Sequence, residues 1–457
     1  MIHKNEEFEG VVEGLGTDGE GIIKIQGTTA FVPFCLVGEK VRFKVLKVKG
    51  NIAYGKLIEV LTPSYARVNP VCPVFGKCGG CDLQHMNYES QLKFKRDSVA
   101  NALKKIGGIY AAVNDTVPCE KPFGYRNKLA LPVGKDGDGN TAVGFYARRS
   151  HRIIPTKTCA IQSAWAEKVF KAANEFASLS CGKHIRHIVA REIDGKFIFV
   201  LVADKKIDVA PLICAIERDF KEFTFFLNIN SAQTNAIFGN EWHICRGEGF
   251  FEGEECGIKF KAGANTFLQV NDGVRGKLYE RVLQEAEEGA VAIDLYSGGG
   301  LLTAMLAKKC GTAYGIEIVE EASRCADELK EGNGLSGKMF DICGSVEENI
   351  DKVFSVTEGR KRIIVCDPPR KGMERSVVKA IAFAGADKVV LVSCNPATLA
   401  RDLGLLLGTL TEKDGALVKC DNSNSVYEIV SVTPFDMFPQ TKWCETLVVL
   451  TKKKISE

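Results

Sequence analysis

Between Val291 and Glu317 the chain runs VAIDLYSGGG, LLTAMLAKK and AYGIEI: an apolar strand carrying Asp294, a glycine turn, a helix, and a second strand ending on Glu317. Strand, glycine turn, helix, strand, acid is the nucleotide-binding half of a doubly wound sheet, so the C-terminal part is expected to be α/β and Rossmann-like. The acid stands 23 residues after Asp294, placed to accept hydrogen bonds from two ribose hydroxyls. Gly298, Gly299 and Gly300 are consecutive, and no glycine follows where G-x-G-x-x-G requires one. Such a turn suits the passage of a methionine tail better than the cradling of a pyrophosphate.

Two further strands end on residues with chemistry. RIIVCDPPR closes on Asp367, two prolines and Arg370, an extended turn suited to gripping a flat base. KVVLVSCNP closes on Cys394, flanked by Ser393, Asn395 and Pro396. Ligands of open α/β sheets bind at the carboxyl ends of the strands, so these ends are expected to share one crevice. Cysteine in a strand is often a small core hydrophobe, but polar and turn-forming neighbours aim this thiol at the pocket. Glu445, heading the last apolar strand in WCETLVVL, is the candidate base; a solvent-facing strand end is the plainer reading of that residue.

Upstream, residues 1–60 hold short alternating runs broken by glycine, the pattern of a small antiparallel barrel. Lys40, Arg42 and Lys44 fall on one face by period two, either a solvated strand face or a phosphate-contacting one. Next, VNPVCPVFGKCGGCDLQH carries Cys72, Cys78 and Cys81, and Cys159 in TKTCAIQ is a plausible fourth ligand. Four thiolates fit either a tetrahedral zinc or a [4Fe-4S] cube, and spacing alone does not choose. Between Pro118 and Lys157, Lys121, Arg126, Lys128, Lys135, Arg148, Arg149, Arg152 and Lys157 are interleaved with Phe123, Tyr125, Phe145 and Tyr146. Cations for phosphates beside flat rings for unstacked bases suit single-stranded or splayed RNA; a half-buried sheet has the same pattern. Residues 184–250 read as further strands and one helix.

The net charge of +3 over 457 residues does not by itself announce a nucleic-acid partner. Acids at the start, MIHKNEEFEG, and the lack of any run of about 18 apolar residues argue against a signal peptide or a membrane span. The expectation is a cytoplasmic protein whose seventeen cysteines are reduced.

Taken together, the TRAM-like start, the cysteine knuckle, YRNK, FLQVN, DLYSGGG, DPPR, SCNP and ETLVVL resemble the bacterial RNA uracil-5-methyltransferases that carry an iron-sulfur cluster, over nearly the whole length. The resemblance implies three domains: a TRAM/OB-like RNA-binding barrel over 1–60, a central mixed α/β domain over 61–262, and an S-adenosylmethionine-dependent methyltransferase domain over 263–457. It implies a [4Fe-4S] cluster on Cys72, Cys78, Cys81 and Cys159, and donor contacts from Gln269, Tyr296, Glu317, Ser345 and Asp367. Cys394 would be the nucleophile and Glu445 the base. Carbon 5 of uracil is a poor nucleophile, and a thiolate adding to carbon 6 makes it an enolate carbon able to take a methyl group. The implied substrate is ribosomal RNA of the 23S type, with transfer RNA the alternative, and the implied state a monomer. Trp443-Cys444 stands where the family usually reads His-Val, and Ser345 where it often reads Asp or Asn. An exocyclic-amino methyltransferase using the DPPR turn is the rival reading; that chemistry needs no thiol, so Cys394 discriminates.

Overall fold

The computed structural model describes residues 2–420 and 425–453. Five strands, Glu7–Leu15, Gly21–Ile25, Thr28–Val32, Lys40–Lys49 and Ile52–Thr62, close into a barrel. Alternation fills its interior with Val41, Phe43 and Val45 and turns Lys40, Arg42 and Lys44 outward. Two of these three are paired across strands, Lys40 with Glu9 at 2.9 Å and Arg42 with Glu59, while Lys44 lies between Glu7 and Lys56 in register. Period two identified the face but not its partners.

A second sheet of seven strands runs, across its width, Glu241–Arg246, Phe223–Ile229, Lys196–Ala203, Ile185–Ile193, Lys128–Lys135, Thr141–Tyr146 and Ile153–Pro155. The helices Ala166–Ala177 and Ala210–Glu217 bury Phe170, Phe176 and Leu212 against one of its faces. On the other face Val189, Ile198, Val200 and Phe226 join a core that continues into the C-terminal sheet.

The C-terminal sheet also has seven strands. Met339–Cys343, Thr312–Glu317, Val291–Leu295, Arg362–Cys366 and Lys388–Ser393 are parallel neighbours, and Glu445–Lys452 and Tyr427–Phe435 complete the sheet antiparallel. Val291, Ile293, Ile364, Val389 and Leu391 are buried to completion or nearly so, as parallel strands covered on both faces must be. This is the doubly wound architecture expected from DLYSGGG. The chain before the central sheet also packs here: helix Tyr88–Ala102 contributes Val99 to this core, and the following segment pairs Asn114 N with Val432 O and Val117 N with Pro434 O, both at 2.8 Å. No helix among the described residues is long and apolar enough to cross a membrane.

Candidate active site

The turn after Val291–Leu295 is made by backbone that few residues accept. Tyr296 has φ +67°, and Gly300, at φ +78°, lies where an added Cβ would stand 2.6 Å from the Ala326 Cβ. The turn is held from the neighbouring strand by Glu317, whose two carboxylate oxygens accept from Gly298 N at 2.9 Å and Val319 N at 2.7 Å. A carboxylate has about four acceptor sites, so two remain for other donors. Parallel pairing sets Leu295 beside Ile316 and Cys366, and Glu317 beside Cys343, while Gly344 N donates to Glu317 O at 2.8 Å. Tyr296, Glu317, Ser345 and Asp367 therefore lie at the carboxyl ends of four adjacent strands. The Tyr296 hydroxyl is buried and without a partner. Ser345 caps the helix Val346–Val356, its Oγ accepting from Glu348 N at 3.3 Å.

Gln269 lies in the segment ahead of helix Asp272–Glu285. Its carbonyl accepts from Asn127 Nδ2 and Arg275 Nη1, both at 3.3 Å, and Asn127 also donates to Asp272 at 2.7 Å. These bonds fasten the segment ahead of helix Asp272–Glu285, whose Tyr279 is pushed upward in pKa by burial and then by the charges of Asp367 and Asp294. Asn127 is the working residue of YRNK, which the sequence marked only as a motif.

The second half of the site is set by antiparallel register. Ser393 pairs with Thr446, which puts Cys394 opposite Glu445, and Glu445 in turn pairs with Phe435. Glu445 is 3% exposed and its Oε2 has no partner. Burial, then the charge of Asp367, holds Glu445 well above the carboxylate range, while Arg370 pulls it down. Asp367 is pushed up to about 7 by burial. Burial of Glu445 and the charge of Asp367 thus both favour the protonated form of Glu445. The Cys394 thiol is pushed up to about 11 by burial and then by Glu445, and the Arg370 guanidinium opposes the rise. The sequence brought Cys394, Glu445 and Asp367 forward, and the structure places them together. Arg370 entered the sequence reading only as the last residue of the DPPR turn.

Asp294, lower in the same crevice, is pushed up to about 7 by burial although Thr303 Oγ1 donates to it at 2.6 Å. Asp341 lies nearby with both oxygens buried and unpartnered and is pushed up to about 6 by burial. Nothing in MFDIC distinguished that aspartate from an ordinary edge-strand residue.

Away from the crevice, the knuckle is ordered by backbone. Gly79 N donates to Tyr146 O at 3.0 Å, Gly80 N to the Cys78 sulfur at 3.3 Å, and Cys72 N to Gln84 Oε1 at 3.1 Å. Burial pushes the Cys81 thiol up to about 12 and Cys159 up to about 11, and in both the neighbouring cysteines of the set add to the rise. Among the described residues, no group of three or more His, Cys, Asp or Glu stands as a formed metal cage. Of the interleaved aromatics, Tyr125 is core, its hydroxyl bonded to Pro439 O at 3.1 Å, and Phe145 packs on Phe170. Phe123 and Tyr146 reach the surface. Lys128 is drawn under the Phe238 ring and lowered to about 8 by burial, so it is not a free surface cation.

Known proteins share this layout. Residues 4–58 match the TRAM domain model, and residues 352–453 match the model of tRNA (uracil-5-)-methyltransferases. A Clostridium tetani protein described as an uncharacterized RNA methyltransferase is 38% identical, with 98% of this chain and 97% of the relative covered. A second, from Halalkalibacterium halodurans, is 36% identical over 99% of this chain and 98% of its own. The crystal structure of Pyrococcus abyssi tRNA (uracil-54, C5)-methyltransferase with S-adenosyl-L-homocysteine superposes with a TM-score of 0.74 at 25% identity, covering 97% of this chain and 99% of that one. With its barrel, its sheet and its full-length relatives agreeing, the chain belongs to the S-adenosylmethionine-dependent RNA (uracil-5-)-methyltransferases.

Proposed function

We propose that this protein methylates carbon 5 of a uridine in structured RNA through a covalent adduct in which Cys394 is the nucleophile and Glu445 the base. The observation that carries the reading is the pairing of Ser393 with Thr446, which sets a thiol opposite a buried carboxylate with Asp367 and Arg370 beside them. Cys394 loses its proton to solvent and adds as the thiolate to carbon 6 of the uracil, giving an enolate whose carbon 5 takes the methyl group of S-adenosylmethionine and releases S-adenosylhomocysteine. Glu445 then removes the proton from carbon 5, and the electron pair left there expels the thiolate and restores the ring. Glu445 must be ionised for that step. The Arg370 guanidinium favours the ionised form, against the burial and the Asp367 charge that favour the protonated one. Gln269, Tyr296, Glu317, Ser345 and Asp367 line the donor side, with Glu317 taking the ribose hydroxyls on its free acceptor sites.

Cys72, Cys78, Cys81 and Cys159 are assigned to a [4Fe-4S] cluster. The support is the C-x5-C-x2-C spacing, a backbone N–H aimed at the Cys78 sulfur and the family resemblance; the four thiols do not stand as a formed cage among the described residues. A cluster held there would tie the knuckle to the segment around Cys159. Proposed domain limits are 1–60, 61–262 and 263–457, with residues 88–117 leaning on the last.

For the target, the cysteine knuckle favours ribosomal RNA of the 23S type; the likeness to the Pyrococcus abyssi enzyme favours transfer RNA as the second reading. Mapping 5-methyluridine in total RNA from cells with the wild-type protein and with Cys394→Ala tests both points. A ribosomal site lost in the variant, which still binds S-adenosylhomocysteine, is the expected result. An unchanged map sinks the nucleophile assignment, and a lost transfer-RNA site replaces the target.

A further inference from the structure

We propose that Trp443 is a positioning residue, whose indole ring holds the Arg370 guanidinium against the Cys394 thiol; the proposal rests on the reading of Cys394 as nucleophile. Arg370 follows the two prolines on an exposed turn. Its carbonyl is pinned by Asn395 Nδ2 at 3.2 Å and Thr398 Oγ1 at 3.3 Å, which fixes where the side chain starts. Those bonds do not fix where it ends. Arg370 is exposed, and a long arginine side chain left to itself samples many rotamers.

The restraint is the half-buried Trp443 ring, whose centroid lies 5.2 Å from the guanidinium carbon. That is inside the range in which an indole face attracts a cation, roughly 6 Å. The ring is itself anchored. Trp443 N donates to Thr441 Oγ1 at 3.2 Å, and the next two residues, Cys444 and Glu445, are buried. A second cation, Lys442 Nζ, lies 4.7 Å from the same ring and would compete with Arg370 for it. Asp18, on the barrel, takes that ammonium at 2.5 Å and offsets its charge, so the ring carries an ion-paired Lys442 as well as the Arg370 guanidinium. The consequence reaches the chemistry because Arg370 is the cation that opposes burial at both Cys394 and Glu445.

The test reads the pH dependence of Cys394 alkylation by iodoacetamide, followed by peptide mass spectrometry, in the full-length protein without RNA. Wild type, Trp443→Phe, Trp443→Leu, Trp443→Gln and Arg370→Met are compared. Expected is an upward move of the alkylation midpoint by roughly 1 pH unit in Arg370→Met, and a move in the same direction in Trp443→Leu and Trp443→Gln. Trp443→Phe, which keeps a flat ring, stays near the wild-type midpoint. Leu and Gln differ in polarity, so a folding defect in one leaves the other to decide. Turnover in the ring-less variants falls about tenfold in kcat with the KM for the methyl donor unchanged. A midpoint that moves in Arg370→Met but not in the ring-less variants overturns the positioning role. One that moves in none overturns the action of the guanidinium on the thiol. Neither result touches the nucleophile assignment, which fails only if wild-type protein forms no covalent adduct with fluorinated RNA.

Discussion

Asp341 shows how a single carboxylate can work against the fold that holds it. Its side chain is 3% exposed, both oxygens lack partners, and Lys330 Nζ is no nearer than 3.9 Å. Burial pushes it up to about 6 from an ordinary 3.8. Between those two values the unfolded chain releases the proton while the folded protein keeps it, so stability falls as pH rises through that window and then levels off. Asp341→Asn removes the fall. Urea unfolding should show the variant more stable than wild type by roughly 1–3 kcal/mol at pH 8, with the gain gone below pH 4. An equal difference at both pH values would mean that Asp341 ionises freely. No sequence pattern announced this residue. Cys394 and Glu445 were legible one at a time, from strand-end position and flanking residues, but their meeting was not: it is set by the register of strands 51 residues apart, which alternation alone does not specify.

Elements were more legible than contacts. DLYSGGG marks its turn because only glycine takes φ +78° at position 300 without strain, and that position is also crowded, with the Met339 Cε 2.7 Å from an added Cβ. Gly300→Ala should therefore cost roughly 2–4 kcal/mol of stability and weaken S-adenosylhomocysteine binding, read by urea unfolding and calorimetry. Gly299→Ala is the control, since nothing lies within 4 Å of its added Cβ and it should unfold almost as wild type does. Equal stability of the two variants would show that the turn tolerates a side chain at 300. On the barrel, period two placed Lys40, Arg42 and Lys44 on one face, yet the acids that pair with Lys40 and Arg42 come from other strands. A local pattern shows which way a side chain points, and cross-strand pairing decides what it meets.

At the scale of the molecule the parts interlock more than a linear division suggests. Lys95, on helix Tyr88–Ala102, is fully buried in an ion pair with Asp436, and the Tyr88 hydroxyl donates to the same carboxylate at 2.8 Å. That joint fixes the chain just ahead of Trp443 and Glu445 to a helix more than 300 residues earlier in sequence. In the proposed cluster the knuckle cysteines and Cys159 would make a second long-range tie. Purified without exposure to air, the protein is expected to be brown with iron near four per chain; colourless protein with one zinc would assign the thiols to a tetrahedral zinc site. The central claim is the covalent route through Cys394. Its most direct test is to incubate the wild-type protein with S-adenosylmethionine and RNA carrying 5-fluorouridine, since fluorine on carbon 5 cannot leave as a proton and the adduct stalls. The account predicts a denaturant-stable protein–RNA species whose linked peptide contains Cys394, and an absence of any adduct, or a link through another residue, would contradict it.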